Sequence, residues 1–168
     1  SNLEELHRLT GIVNDMLFLS QADRGVGARR APVASLASVA ADVLDYHEAA
    51  LAEAGLTAKV VGDAQGAFDV PLLRRALSNL LGNATRYART GSLVQIHFKT
   101  TDDDRVEIRV TNCGECIAAE IFPHLFDRFF RADPARSHAQ SNHGLGLAIV
   151  GAIARMHQGK PVAWSESG

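Results

Sequence analysis

Apolar residues recur at spacings of three and four from the first residues of the chain. Leu3, Leu6, Leu9, Val13, Met16 and either Leu17 or Leu19 form the series, with Glu4, Glu5, Arg8 and Asp15 between them. That period predicts a helix over residues 1–22 with a single apolar stripe, which needs a partner helix to cover it. The pattern then lapses. Residues 23–32 carry Asp23, Arg24, Gly25, Gly27, Arg29 and Arg30 without periodic apolar positions, and read as a linker whose arginines are solvated. Leu36, Val39, Val43, Tyr46, Ala50 and Leu51 mark the inner face of a second helix over 33–54, with Gly55 at its end. Short strands are expected at 57–61 and 67–70. A third helix follows over 72–89, with Leu73, Leu77, Leu80, Leu81 and Ala84 on its buried side. Strict alternation at 93–99 and 105–110 predicts two strands packed on one face, which leaves His97 on the solvent side; Asp102 to Asp104 turn between them. Residues 145–156 form a last helix, stopped by Gly159, and 161–164 begin a last strand. Helices mixed with a hairpin and further strands imply an α+β fold, an α/β sandwich with one mixed sheet and helices stacked on one face.

Composition narrows the partners. The 168 residues carry 17 basic and 19 acidic side chains for a net charge of −2, which gives no whole-chain argument for nucleic acid. At 46% hydrophobic residues the chain can bury an ordinary core, and it is not the composition of a disordered segment. No apolar run approaches the roughly 18 residues that membrane crossing needs.

Candidate chemistry starts on the 72–89 helix. Asn79 and Asn83 are four apart and leave the same face one turn from each other. Asparagine is a poor residue inside a helix, because its amide competes for backbone hydrogen bonds. Arg86 adds a cation three residues beyond Asn83, and Tyr87 a flat ring. Amide oxygens can ligate a hard cation that also holds phosphate oxygens, and an arginine can brace those phosphates. On this helix alone, a polar edge beside a packed stripe explains the residues slightly better. Cys113 and Cys116, the two cysteines of the chain, form one Cys-x-x-Cys. A zinc site needs four ligands and no second pair exists, so the cysteines are read as small residues lining a pocket rather than as a metal or redox pair. Gly144-Leu145-Gly146 precedes the last helix, where bare backbone N–H groups suit an anion.

Taken in order, NLLGNATRY, NCGECI, FDRFFR and GLGLAIV resemble the N, G1, F and G2 boxes of the ATP-binding domain of sensor histidine kinases. SNLEEL, NDMLFL and LRRALSNLL place the resemblance with the heavy-metal, copper/silver type, sensor kinases of bacteria, and it runs over nearly the whole chain. Four ordered boxes are far more specific than one glycine motif. The resemblance implies the Bergerat-type sandwich, with ATP and Mg²⁺ as ligands. It makes residues 1–22 the second helix of the dimerisation and phosphoacceptor hairpin, 23–32 a linker, and 33–168 the catalytic domain, which lacks its usual last strand. Asn83 would hold Mg²⁺, Asn79 would face the phosphates, Arg86 would neutralise them and Tyr87 would pack near the base. Asn112 stands where the family usually has an aspartate that accepts from adenine, Gly114 keeps its glycine, Cys116 replaces another, and Ile117 would floor the pocket. Arg128 or Arg131 of the F box would reach toward phosphate, residues 132–142 would form a lid, and Gly144, Leu145, Gly146 and Leu147 would meet the phosphates. His7 does not match a phosphoacceptor motif and reads as a solvated helix residue, so the acceptor histidine belongs to a helix outside this chain. The partners implied are that hairpin in a full-length homodimer, and a response regulator. The location implied is the cytoplasmic side of a bacterial inner-membrane protein. A nucleotide-poor docking module of the same fold is the alternative function.

Overall fold

A computed structural model describes residues 1–131 and 144–166. The chain divides into two compact units: residues 28–116, and residues 1–27 together with 117–168.

The 28–116 unit contains the sheet. Its elements are β1 (Ala31–Val33), α2 (Leu36–Tyr46), α3 (Glu48–Glu53), β2 (Thr57–Gly62), β3 (Gly66–Phe68), α4 (Val70–Tyr87), β4 (Leu93–Thr100) and β5 (Val106–Thr111). The main sheet has the order β2-β4-β5, with β2 parallel to β4 and β4 antiparallel to β5. The parallel pair requires a crossover, and α4 lies within it. The register runs from Thr57 opposite Leu93 to Gly62 opposite Phe98. Alternation in β4 buries Val94, Ile96 and Phe98 and leaves Gln95, His97 and Lys99 on the wetter face, as the pattern predicts. Those three apolar residues join Leu36, Val39, Ala40 and Val43 of α2 and Leu73, Leu77, Leu81 and Ala84 of α4 in one core. The mixed sheet carrying α2 and α4 is the α/β sandwich the sequence implied. β1 and β3 form a separate two-stranded ribbon.

Three expectations change. The helix expected over 33–54 is broken at His47 into α2 and α3. The end of the expected linker is β1, which pairs with β3 across Ala31 and Phe68. Residues 161–164 form no strand: no sheet among the described residues includes them, and Val162 and Trp164 are exposed.

Asp63, in the turn between β2 and β3, fixes the start of α2. Its carboxylate accepts from Ala37 N–H at 2.9 Å, Ser35 hydroxyl at 2.8 Å and Ala64 N–H at 2.7 Å. These bonds, that of Ala37 first, hold the carboxyl below the ordinary carboxylate range. A folded-state pKa below the unfolded one contributes stability above the unfolded value of about 4, lost as pH falls through the folded value. Amide resonances of Ala37 and Ala64 should therefore hold their shifts at neutral pH and move only below about pH 4. In an Asp63→Asn variant that acid step should vanish.

The second unit contains α1 (Asn2–Asp23), a 3₁₀ turn (Ala119–His124) and α5 (Gly146–Met156). A capping box starts α1: the Ser1 side chain accepts from Glu4 N–H while Glu4 reaches back to the Ser1 backbone. α1 packs against α5; Leu19 is buried on the first, and Ala148, Ile149, Ala152 and Ile153 on the second. No described helix is long and apolar enough to cross a membrane.

Candidate nucleotide-binding site

α4 begins where its sequence tells it to. Asp69 caps it by accepting Leu72 N–H at 3.2 Å, and Pro71 sits in the first turn, where a missing N–H costs nothing. The apolar stripe of α4 is committed to the core, so its other face carries Asn79, Asn83, Arg86 and Tyr87, all half-buried. Arg86 Nη2 donates to Asn83 Oδ1 over 3.4 Å, a long bond, and Arg86 Nε is buried with no partner. Burial pushes the Arg86 guanidinium below its ordinary value, and Tyr87 opposes the shift through its charge and a side-chain hydrogen bond. A half-buried cation held by an amide and a phenol, with one N–H unmet, suits an incoming anion. The donor set therefore fits phosphate, and the weakly engaged Asn83 oxygen fits a hard cation.

The loop after β5 is fastened to the end of this helix. Arg89 N–H donates to the Cys113 carbonyl at 2.6 Å, and Ala88 and Gly114 form an isolated antiparallel bridge. Gly114 approaches so closely that a Cβ there would lie 2.6 Å from the Tyr87 carbonyl oxygen. Backbone cannot swing aside as a side chain can, so Gly114→Ala should force the loop off α4. Overpacking of this kind costs about 1–3 kcal/mol, and a thermal melt would show it as a lowered Tm. The bridge holds Gly114 at the Tyr87 end of α4, with the Asn112 side-chain amide near it. Cys116, where the family usually has glycine, is exposed, so its extra atoms face solvent.

In the other unit the aromatic segment at 122–131 forms no α-helix. The 3₁₀ turn ends at His124; Phe126 and Phe129 follow in turns, and Phe130 comes after them in irregular backbone. Phe129 has a φ of 64°, and its N–H donates to the Gly144 carbonyl at 2.8 Å. Gly144 has a φ of 73°, and a Cβ on it would sit 2.6 Å from the Phe129 carbonyl carbon. The F and G2 segments thus lean on each other through backbone, which leaves no room for a larger residue at 144. Phe126 is half-buried and lies against Gly151 of α5, whose missing Cβ would be 3.6 Å from it. Leu145 is buried, Leu147 is half-buried, and among the described residues no side chain caps the start of α5. Open space surrounds the missing Cβ of Gly146. A helix start fronted by such a glycine has the character of an anion site.

One pairing leaves no sign in the order of residues. Arg128 Nη2 donates to both carboxylate oxygens of Asp23, at 2.8 and 2.7 Å, across 105 residues of chain. One of the two arginines expected to reach phosphate is therefore engaged by the end of α1. In this unit Ile117 is exposed and Arg131 is half-buried, while the expected lid over 132–142 lies outside the described residues. Cys113 and Cys116 are both exposed thiols not joined in a disulfide, and no group of three or more metal-ligating side chains occurs among the described residues.

Residues 68–168 match the family described as Histidine kinase-, DNA gyrase B-, and HSP90-like ATPase. The chain is 44% identical over 168 residues to Sensor histidine kinase CusS of Escherichia coli (strain K12), an alignment covering 99% of this chain and 35% of that protein. It is 38% identical over 136 residues to Sensor protein CopS of Pseudomonas syringae pv. tomato, covering 81% of this chain and 28% of that one. The chain thus spans about a third of the length of these relatives. Among solved structures, Acinetobacter baumannii histidine kinase AdeS superposes with a TM-score of 0.75 at 24% identity, over 92% of this chain and 70% of that one, a likeness of fold. The resemblance read from the four boxes is borne out. The chain belongs to the Histidine kinase-, DNA gyrase B-, and HSP90-like ATPase family, on its sensor histidine kinase branch.

Proposed function

We propose that this chain is the catalytic ATP-binding part of a two-component sensor histidine kinase, and that it presents the γ-phosphate of Mg·ATP to a histidine on a helix outside the chain. The observation that carries the reading is the half-buried Arg86 guanidinium beside Asn83, on a helix within the matched region. On this reading Asn83 holds Mg²⁺, which when bound offsets the negative charge of the phosphates. Asn79 donates its amide to phosphate oxygens, and Arg86 meets their charge. Tyr87 packs beside the base, Asn112 accepts from it, Gly114 admits the backbone close to it, and Cys116 and Ile117 line its surroundings. Gly144, Leu145, Gly146 and Leu147 turn backbone N–H groups toward phosphate. Arg131 serves as a further phosphate ligand, as does Arg128 once it leaves Asp23. These groups position and stabilise charge; none of them forms a covalent bond to the phosphoryl group.

The partners proposed are the acceptor hairpin, completed by residues 1–22 within a homodimer, and a response regulator whose aspartate takes the phosphate. Residues 23–32 then link the hairpin helix to a catalytic domain over 33–168. The parent protein would be an inner-membrane sensor of heavy metal with this part on the cytoplasmic side. Calorimetry of the chain with ADP or ATP and Mg²⁺ tests the core of the reading: heat of binding is expected below about 1 mM nucleotide. A folded chain that takes up no nucleotide at that concentration would overturn it.

A further inference from the structure

Cys113 and Cys116 bracket Gly114 and Glu115 in the loop after β5, and both are exposed thiols outside any disulfide. One end of the loop is held: the Cys113 carbonyl accepts Arg89 N–H, and Gly114 is bridged to Ala88. Past that anchor the chain bends at Glu115, between the two cysteines. An extended three-residue step spans about 10 Å. A disulfide needs Cα atoms about 4.4–6.8 Å apart, so a bend in the intervening pair favours closure. A metal would find two thiolates here, against the four ligands of a closed zinc site.

We propose that Cys113 and Cys116 form a reversible dithiol–disulfide site within the nucleotide loop, and that closing the disulfide weakens nucleotide binding. The inference rests on the assignment of Asn112, Gly114 and Cys116 to the nucleotide. A peroxide supplies the oxidant. One thiolate attacks a peroxide oxygen, the O–O bond breaks, and a sulfenic acid forms with release of water. The second thiolate attacks the sulfenic sulfur, the S–S bond forms, and a second water leaves. Two thiols and one hydrogen peroxide give one disulfide and two waters, and a dithiol reductant reverses the change by exchange. Because the Cys113 end is fastened to α4, ring closure moves the Cys116 end. Cys116 and Ile117 are drawn from where they would line the base, while the anchored Gly114 stays.

The test uses the whole chain, reduced and then treated with hydrogen peroxide. Intact mass, iodoacetamide alkylation and calorimetry with ADP and Mg²⁺ are read on both forms. The oxidised chain is expected to be monomeric, two hydrogens lighter and closed to alkylation, with ADP affinity lowered about tenfold and restored by dithiothreitol. Cys113→Ser is expected to bind ADP as the reduced protein does and, on peroxide treatment, to form no intrachain disulfide and keep its affinity. Thiols that stay alkylatable, a disulfide between chains, a closed loop with unchanged affinity, or an equal response from Cys113→Ser would each overturn the proposal while nucleotide binding stands. Reduced protein that binds no ADP would instead overturn the proposed function, and the switch with it.

Discussion

Asn83→Ala is expected to remove the magnesium-dependent part of nucleotide affinity and leave the chain folded. Asn83 is half-buried on α4 and lies outside the apolar cluster that holds α4 to the sheet. The 3.4 Å bond its side chain accepts from Arg86 is too long to contribute much to stability. Alanine is also the better helix former, by up to about 0.7 kcal/mol, so the melting temperature should hold or rise slightly. The binding loss has another origin. With the amide oxygen gone, the cation that Asn83 would hold beside the phosphates would lose that ligand. We expect affinity for ADP in excess Mg²⁺ to fall by at least about tenfold, or 1.4 kcal/mol. In EDTA, where no divalent ion is available, the variant and the parent should differ little. Calorimetry in the two buffers, with a circular-dichroism melt as the control for folding, separates the effects. Equal affinity of the two proteins in Mg²⁺ would show that Asn83 is not the magnesium ligand.

The two halves of that argument were unequally legible in the sequence. The spacing of Asn79, Asn83 and Arg86 is visible because a helix converts sequence intervals of three and four into one face. α4 itself was readable from its stripe, though it runs from 70 to 87 and not from 72 to 89. The shifted start follows from Asp69 and Pro71, both ordinary start signals that a count of apolar residues passes over. The break at His47 left no trace, since Leu51 keeps the apolar series going on the far side of it. β1 is only three residues long and takes its identity from a partner more than thirty residues away, so no local period could reveal it. The opposite error occurs at 161–164, where Val162 and Trp164 supply strand propensity but no strand forms. At the site, the closeness of Gly114 to the Tyr87 carbonyl and the grip of Asp23 on Arg128 are tertiary contacts. Sequence offers a glycine and an arginine there, each compatible with many surroundings.

Autophosphorylation should fail when this chain is supplied alone with radiolabelled ATP and Mg²⁺. His7 is the one histidine on α1, and its surroundings argue against an acceptor role. It is exposed, and the neighbouring Arg8 is paired with Glu5 at 2.6 Å. More telling is the stripe on the same helix. Leu3, Leu6, Leu9, Val13, Met16 and Leu17 are between 46% and 63% exposed, whereas Leu19 is 2% exposed. Leu19 near the end of α1 is thus packed, and the six residues before it present an apolar row of the kind that a second helix covers. An isolated helix of about this length is marginal in water, so the uncovered turns should fray at low concentration and pair with another copy at high concentration. Either state leaves the chain without a correctly seated acceptor. A separately supplied hairpin bearing the acceptor histidine would cover the stripe and bring that histidine with it, and acid-labile label should then appear on the hairpin. Acid-labile label on this chain alone, abolished by His7→Ala, would make His7 the acceptor and α1 the helix that carries it.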